Sequence, residues 1–475
     1  MTPAGADLPW RLAPGTMRLR EGRIAGGAPF RVLRLSEHGT AELDALLGTD
    51  GKPAGALATL TQRLVRYGLL LPPTPPPVPA ADVTVVVPAL ATADRVRAVL
   101  AAVPEGVPVV VVDDGSTPPL ESGLPAVPGM RIIRHERSRG PAAARNAGAR
   151  LALTTWIAFA DADVLPGPDW LGLLLARAGT AVAVGPRVVS VEARGAAGLL
   201  EGWSGALDLG GTPADVGPGR PVSYVPSAVL LVRRDAFEAA GGFDEGLHVG
   251  EDVDLVWRLA GAGGRVRYEP DVVCRHRPRA SFWSVVRRRF DYGASAAALE
   301  RRHPGSLRHV DVSVWSFLAW LLGIVAHPAA GAAATTGSVG FAPLRLPELP
   351  PAEVRRLAGR EHLLAAAALG RWLVRPMWPL TLMAALVLPG RRRVLLAAAL
   401  AGTAGHVRRW VSVDRLDPVS LAAVARVAAA AAVDDAAYSL GVWAGCVRER
   451  TAAPLLPRLR GLPRLRFKSL LRGRS

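Results

Sequence analysis

The chain has 475 residues, half of them hydrophobic and a fifth charged, with a formal net charge of +17 at pH 7. This length corresponds to about three average domains and allows a sizeable core. Part of the charge is local, because residues 448–475 hold nine Arg and Lys against one Glu. A basic tail favours contact with anionic lipid or another polyanion, with a solvated tail as the alternative, and it argues against a nucleic-acid surface over the whole protein.

Cysteine usage and the N-terminus indicate the compartment. Cys274 and Cys446 form no metal-binding or disulfide pattern, which fits a reducing environment. No basic segment followed by an apolar run opens the chain, so we predict no secretory signal. We therefore expect the part of the chain that carries the candidate catalytic residues to face the cytosol.

A proline-rich linker, residues 73–82, separates a small N-terminal unit from the rest, because it can continue neither a helix nor a central strand. In the unit, residues 1–72, strand-like alternation at Met17–Leu19 and Phe30–Leu35 surrounds a glycine turn. Ser36 is placed to cap a helix, and a second helical pattern follows. Two strands and two helices predict a winged-helix-like domain.

This N-terminal pattern, RVLRLSEHGTAELDALL followed by LTQRLVRYGLLLP, resembles the small peptide-binding chaperone domains of ribosomal-peptide maturation systems, of the pyrroloquinoline-quinone type. The resemblance implies a docking element for a peptide-derived substrate. A regulatory or packing domain is the alternative.

From residue 83 to residue 310, strand-like runs alternate with helical segments. The runs span residues 83–87, 108–112, 130–134, 156–160 and 181–184. Strands that are apolar on both faces, with helices between them, predict an α/β domain with a Rossmann-like, mostly parallel sheet. Ligands of such sheets bind at the carboxyl ends of the strands.

Two acidic clusters directly follow predicted strands. Asp113 and Asp114 can accept hydrogen bonds from a nucleobase or ribose, although they also suit a turn. Asp161 and Asp163, two residues apart, can face one hard cation. Mg²⁺ or Mn²⁺ takes oxygen ligands, typically one or two carboxylates plus substrate phosphates. An acidic loop is the alternative for this pair.

A third cluster, Glu251 and Asp252, opens a predicted helix. The helix N-terminus stabilises an ionised carboxylate, which suits a general base, with simple capping as the alternative. The glycine- and proline-rich entry at residues 140–148 brings Arg145 near a nucleotide or packs small residues on the sheet. His276 is a candidate metal ligand or phosphate contact, although a lone histidine is more often structural.

In this order the motifs resemble family 2 glycosyltransferases of the GT-A fold, over about residues 83–305. The resemblance implies an inverting transfer from a nucleoside-diphosphate sugar with Mg²⁺ or Mn²⁺. By position, it implies nucleotide-sugar contacts at Pro88, Asp113, Asp114, Arg145, Asp161 and Asp163, with Asp161, Asp163 and His276 as metal ligands. It also implies Asp252 as catalytic base and an acceptor side at Gly242, Phe243, Asp244 and Glu251.

The order of domains is most similar to the glycosyltransferases of the mycofactocin system, which combine a chaperone-like module, a family 2 domain and an apolar C-terminal region. That family is proposed to attach β-linked glucose to a peptide-derived redox cofactor precursor. Processive family 2 synthases carry Gln-x-x-Arg-Trp where this chain has Arg288-Arg289-Phe290. The departure argues against a processive channel, and the basic segment Arg287–Arg289 suits a phosphate or a membrane surface.

Residues 311–447 are strongly apolar and lead into the basic tail, residues 448–475. Val312–Ala334 carries no Asp, Glu, Lys or Arg and is long enough to span a bilayer, although His327-Pro328 interrupts it. Val419–Val447 contains Asp434-Asp435, which are costly in hydrocarbon. We expect membrane association, peripheral or integral, on the cytoplasmic side of the plasma membrane; a soluble helical domain is the alternative.

Three functions stay open at this point. The first is transfer of a hexose to a small peptide-derived acceptor, without a nucleic-acid partner. The second keeps the chemistry but takes a polyprenyl phosphate or a membrane glycolipid as acceptor. The third is a membrane-anchored binding protein with a degenerate GT-A domain, which the presence of all three carboxylate clusters disfavours.

Overall fold

The computed structural model describes residues 10–27, 31–48, 57–73, 76–80, 82–191, 200, 207–277, 281–307, 310–345, 349–388, 390, 392, 395 and 421–461. The chain divides into two compact units, residues 1–280 and 281–475. The first unit contains the N-terminal module and the α/β domain. The second unit is largely helical.

The N-terminal module combines antiparallel strands with two helices. Its elements are β1 (Arg11–Leu12), β2 (Met17–Leu19), β3 (Arg23–Gly26), β4 (Arg31–Arg34), α1 (Glu37–Gly48), α2 (Leu57–Arg66) and β5 (Leu70–Leu71). Strand β3 pairs with both β2 and β4, at a place where the sequence predicts only a turn. The Ser36 cap is confirmed, since Gly39 N donates to Ser36 Oγ at 3.0 Å. Ile24, Leu43 and Leu64 form the core of the module.

The α/β domain is built on a nine-stranded sheet in the order β10-β14-β11-β13-β9-β6-β7-β8, with β12 beside β14. The strands are β6 (Val83–Ala89), β7 (Val109–Asp113), β8 (Met130–Arg134), β9 (Trp156–Ala160), β10 (Val164–Pro166), β11 (Ala183–Ser190), β12 (Ala214–Val216), β13 (Val229–Arg233) and β14 (Val266–His276). Strands β6, β7, β8, β9, β11 and β14 run in one direction. The predicted α/β class with a mostly parallel sheet is therefore confirmed.

Five helices accompany this sheet among the described residues: α3 (Ala93–Leu100), α4 (Pro141–Ala149), α5 (Trp170–Ala178), α6 (Arg234–Ala239) and α7 (Glu251–Gly261). Small residues let α4 lie directly on the sheet. A Cβ on Gly148 would stand only 2.4 Å from Val86 Cγ1 and 3.0 Å from Val112 Cγ2. This close packing positions Arg145 and Asn146, on the same helix, near the ends of the central strands.

The second unit contains α8 (Phe282–Arg302), β15 (Asp311–Ser313), α9 (Val314–Val325), α10 (Pro328–Phe341), α11 (Pro351–Val374), α12 (Trp378–Val387), α13 (Leu421–Arg448) and β16 (Arg458–Arg460). The apolar run Val312–Ala334 is divided at His327-Pro328, because proline cannot continue the preceding helix. None of the helices in the described part of the chain is long and apolar enough to cross a membrane. Within the predicted apolar region 311–447, residues 396–420 lie outside the described residues.

Charged side chains inside the second unit pair with one another. Arg289 Nη2 lies 3.0 Å from Asp434 Oδ2, and Arg371 Nη2 lies 2.6 Å from Asp435 Oδ1. Arg289 is only 6% exposed, so the predicted contact of the segment Arg287–Arg289 with a phosphate or a membrane surface is wrong for this residue, whereas Arg287 is exposed. A buried charge is costly unless it is paired, so separating these residues would destabilise the unit. The contacts therefore hold α8 and α11 against α13.

Candidate active site

Asp113, at the end of β7, shapes the turn that follows. Its carboxylate accepts hydrogen bonds from Ser116 N at 2.7 Å and Leu120 N at 3.1 Å, and Arg134 on β8 donates a third. Burial alone would raise the pKa of Asp113, but these contacts lower it below its usual value. The residue is therefore an ionised anchor between two neighbouring strands.

Asp114 organises the loop that leads into α4. It accepts hydrogen bonds from Ser138 Oγ at 2.7 Å and from the N–H groups of Arg139 and Gly140 at 2.9 Å, and His135 Nδ1 lies 2.7 Å away. Burial by itself would raise the pKa of Asp114, but the hydrogen bonds lower it. The predicted contacts of Asp113, Asp114 and the buried Pro88 with a nucleotide remain predictions.

The turn after Asp114 requires glycine. Gly115 has φ +88°, and a Cβ there would lie 2.9 Å from Ser138 N. Only glycine combines this left-handed backbone with the close approach of the residue 135–140 loop. Asp114 therefore holds the two loops at this edge of the sheet together through hydrogen bonds. Gly115 permits their close approach because it has no side chain.

Arg145 joins two of the predicted acidic clusters. Its Nη2 donates to both carboxylate oxygens of Asp161, at 2.7 and 3.0 Å, and its Nη1 donates to Glu251 Oε1 at 2.9 Å. The guanidinium also lies over the ring of Phe243, 5.4 Å from the centroid. Burial would lower the pKa of Arg145, but Asp161 and Glu251 raise it, so the side chain is a permanent cation.

Asp163 points to a different partner. Strand register places His276 opposite Val164, and His276 Nε2 lies 3.2 Å from Asp163 Oδ2. The described residues contain no group of three or more His, Cys, Asp or Glu side chains arranged to hold a metal ion. The predicted three-residue set of Asp161, Asp163 and His276 is thus not assembled. The two carboxylates keep the oxygen chemistry that suits Mg²⁺ or Mn²⁺ together with a diphosphate.

Asp252, in the first turn of α7, has the electrostatics of a general base. It accepts hydrogen bonds from Val253 N at 2.8 Å and from Ser227 N at 3.4 Å. The carboxylate keeps some solvent exposure, yet burial, with a further contribution from Glu251, raises the pKa of Asp252 to about 7. A carboxylate with this pKa accepts a proton readily near neutral pH.

A backbone segment before β13 brings Asp252 next to Asp161. Asp161 N donates to Ala228 O at 2.8 Å, and the adjacent Ser227 N donates to Asp252. Strand β13 runs antiparallel to β9, so its first residues stand beside the last residue of β9. Sheet topology therefore brings together two predicted carboxylates that are 91 positions apart in the chain.

Asn146 holds the predicted acceptor-side loop, a role that no sequence motif indicates. Its Nδ2 donates to Phe243 O at 2.9 Å and Glu245 Oε1 at 3.1 Å, and its Oδ1 accepts from Phe243 N at 2.9 Å. Gly242 has φ +70°, and a Cβ there would lie 2.8 Å from Asn146 Oδ1. Arg258 Nη2 completes the clamp by donating to Gly242 O at 2.7 Å. The neighbouring Arg145 and Asn146 thus serve both sides of the site.

Other predicted acceptor-side residues have mainly structural contacts. Phe243 is buried and stacks at an angle against Phe159 and Phe237, with ring centroids 5.2 and 5.5 Å apart. Asp244 Oδ1 accepts from Gly246 N at 2.8 Å. Glu251 is buried against Arg145. Their role toward an acceptor stays a prediction.

Sequence comparison identifies the class of protein. The sequence profile of Glycosyl transferase family 2 matches residues 84–239. With the sheet and the carboxylate cluster, this match defines a glycosyltransferase of the GT-A fold. Pre-mycofactocin glycosyltransferase from Mycobacterium tuberculosis (strain CDC 1551 / Oshkosh) is 37% identical over 454 residues, covering 92% of this chain and 94% of that protein. The chain therefore belongs to glycosyltransferase family 2.

Two further comparisons show weaker likeness. Succinoglycan biosynthesis protein ExoO from Rhizobium meliloti (strain 1021) is 32% identical over 319 residues, which cover 59% of this chain and 88% of that protein. The solved mannosyltransferase PcManGT from Pyrobaculum calidifontis, in complex with GDP-Man and Mn²⁺, is 20% identical. The structural match covers 79% of this chain and 92% of the mannosyltransferase chain, with a TM-score of 0.40. A likeness this weak supports no inference about donor or metal.

Proposed function

We propose that the protein transfers a hexose, as β-linked glucose, from a nucleoside-diphosphate sugar to a peptide-derived redox cofactor precursor of the mycofactocin type. The observation that carries this proposal is the similarity to pre-mycofactocin glycosyltransferase over 92% of this chain and 94% of that protein. The site is consistent with this chemistry, because Asp161 N and the candidate base Asp252 bind to the adjacent residues Ala228 and Ser227.

In the proposed reaction Asp252 removes the proton from an acceptor hydroxyl. The hydroxyl oxygen forms a bond to the anomeric carbon as the bond from that carbon to the diphosphate oxygen breaks. Attack opposite to the leaving group inverts the configuration, and the nucleoside diphosphate leaves with the bonding electron pair. A carboxylate with a pKa of about 7 suits this step, since it is both available and basic near neutral pH.

Asp161 and Asp163 are the residues that would hold a divalent cation in this reaction. Both side chains keep partial exposure at the end of β9, and hard carboxylate oxygens suit Mg²⁺ or Mn²⁺. The bound cation would offset negative charge on the departing diphosphate. Arg145 keeps the Asp161 carboxylate oriented, so the chain positions one of the two ligands before donor and metal arrive.

The test is a donor and acceptor screen with the purified full chain. UDP- and GDP-sugars are offered with Mn²⁺ or Mg²⁺ to a mycofactocin-type peptide precursor and to a polyprenyl phosphate, and products are identified by mass spectrometry. We expect hexosylation of the peptide-derived acceptor and loss of turnover in Asp252→Asn with donor binding retained. Preferred transfer to the polyprenyl phosphate would contradict the proposed acceptor, and full turnover by Asp252→Asn would remove that residue from the base role.

A second experiment tests the N-terminal module as the docking element for the acceptor. A chain lacking residues 1–75 is compared with the full chain in two assays, donor hydrolysis without acceptor and transfer to the peptide-derived acceptor. We expect transfer to fall while hydrolysis continues at its original rate. Unchanged transfer would overturn the docking role, and loss of both activities with an altered circular dichroism spectrum would show that the module is needed for folding.

A further inference from the structure

The net charge of this protein lies entirely in its second unit. Residues 281–475 contain 28 Arg and Lys against 11 Asp and Glu, a net charge of +17, whereas residues 1–280 contain 29 of each. The unit with the candidate active site is therefore formally neutral, and the helical unit is strongly basic. A charge asymmetry of this kind marks a unit that faces a polyanionic surface.

An uncharged helical hairpin stands out within this basic unit. Helices α9 and α10 together contain no Asp, Glu, Lys or Arg, and we call residues 314–341 the apolar hairpin. The helices pack tightly, since a Cβ on Gly331 would lie 2.7 Å from Gly323 Cα. At the tip, the His327 ring accepts a hydrogen bond from Ala329 N at 3.1 Å, which caps α10. Ala326 N and His327 N both donate to Leu322 O. These N–H groups at the turn therefore have partners within the hairpin, which favours insertion into hydrocarbon.

The apolar hairpin exposes large apolar side chains along one face. Trp315, Leu318, Leu322 and Val325 follow the three- and four-residue spacing of one helical face, and their exposure ranges from 42% to 61%. Contiguous apolar patches of this kind are rare on soluble monomers and mark interaction sites. Tryptophan and leucine on a helix face are typical of contact with the acyl region of a membrane.

Cations surround the base of the apolar hairpin. The Arg345 guanidinium lies 4.7 Å from the centroid of the Trp315 ring. Helix α11, which packs against both α9 and α10, carries the exposed residues Arg355, Arg356 and Arg360. An anionic lipid surface has phosphates at its surface and acyl chains beneath them. Arginines can contact the phosphates while the neighbouring apolar residues contact the acyl chains. A nucleic acid would match the arginines alone.

We propose that the apolar hairpin inserts into one leaflet of an anionic bilayer while neighbouring arginines contact lipid phosphates. Helix α9 has 12 residues and α10 has 14. They are thus about 18 and 21 Å long, against about 30 Å of hydrocarbon in a bilayer. The hairpin reaches into the acyl region and returns on the same side. This binding is independent of the proposed sugar transfer.

The first test is vesicle flotation of the full-length chain. We expect it to float with phosphatidylcholine vesicles containing phosphatidylglycerol, to bind pure phosphatidylcholine at least about tenfold less, and to lose binding as salt rises. Leu318→Glu/Leu322→Glu should weaken binding by about tenfold or more. Leu153→Glu is the matched control, because Leu153 is 82% exposed but lies in the neutral unit. Equal flotation of the double variant would overturn insertion of the hairpin.

The second test needs no disruptive substitution. Cys274 and Cys446 are buried, so Leu322→Cys provides a single accessible thiol for an environment-sensitive NBD probe. We expect a blue shift with anionic vesicles and quenching by lipids spin-labelled in the acyl chain. No spectral change with vesicles, or the same shift with duplex DNA, would overturn the proposal. Donor hydrolysis by the labelled protein reports separately on the candidate active site, so failure of one proposal does not imply failure of the other.

Discussion

The Arg145 side chain binds both carboxylate oxygens of Asp161, at 2.7 and 3.0 Å, through one terminal nitrogen. Its other terminal nitrogen holds Glu251 at 2.9 Å. A single buried cation thus fixes the end of β9 relative to the start of α7. The candidate base Asp252 follows directly on Glu251, so its position depends on the same contact.

Replacing Arg145 by methionine should therefore damage both stability and turnover. Two carboxylates would lose their cation, and removal of one partner of a buried ion pair costs about 3–5 kcal/mol. We expect a loss of that size in urea denaturation and a fall in kcat/KM of at least about 100-fold, since each tenfold corresponds to about 1.4 kcal/mol. Arg150→Met, an exposed position directly after α4, serves as control and should change neither value appreciably.

Activity should depend on the ionisation of Asp252. Because burial raises the pKa of this carboxyl to about 7, Asp252 is protonated in the free enzyme at low pH and cannot accept a proton there. We expect kcat/KM to increase about tenfold per pH unit below pH 7 and to level off above it. The measurement is the pH dependence of kcat/KM for the donor at a fixed acceptor concentration, and a profile that is flat between pH 5.5 and 8 would argue against Asp252 as the base.

The raised pKa of Asp252 also predicts a pH-dependent stability difference. Folding favours the neutral form of the Asp252 carboxyl. Its contribution to the free energy of unfolding is therefore fully present below pH 3.8, the pKa in the unfolded chain, and is lost as pH rises through about 7. Asp252→Asn cannot ionise, and it should gain stability relative to the original protein between pH 4 and 8, by at most about 4 kcal/mol. Unfolding curves of both proteins across this range measure the difference. Asp254→Asn, which loosens the ion pair with Arg258, should be destabilised instead.

Asn146→Ala should loosen the loop at residues 242–245. The substitution leaves the backbone N–H and C=O of Phe243 without their side-chain partner, at a cost of about 1–3 kcal/mol for buried polar groups. We expect the KM for the acceptor to rise several-fold while donor hydrolysis is largely retained. Glu245→Gln keeps the Phe243 contacts and provides the control. A change confined to donor affinity would show that the loop does not serve the acceptor.

The second unit should depend on the Arg289–Asp434 pair. Asp434→Ala leaves a buried guanidinium without its main partner, and we expect a loss of about 3–5 kcal/mol in unfolding free energy. Glu449→Ala removes a more exposed pair with Arg301 and should cost no more than about 1 kcal/mol. Urea titration of both variants compares the two losses in unfolding free energy. Similar losses would contradict a larger contribution of the Arg289–Asp434 pair to stability.

Local patterns predicted much of the α/β domain. The strands Met130–Arg134 and Trp156–Ala160 have the predicted bounds, because β-branched and apolar runs bounded by polar residues identify buried strands directly. Strand β3 was missed, since its four residues, Arg23–Gly26, include the glycine that suggested a turn. Their strand conformation depends on pairing with β2 and β4, which is a non-local interaction.

The sequence alone predicts that each acidic cluster lies at the end of a strand or at the start of a helix. It does not predict which side chains these carboxylates bind. Asp161 binds an arginine 16 residues away, and Glu251 binds the same arginine across 106 residues. Charge pairs over such separations form only when sheet order and helix packing bring the side chains together. The sequence therefore predicted where Asp161, Asp163 and Asp252 stand, and only the folded chain shows that Arg145 and Asn146 hold the site together.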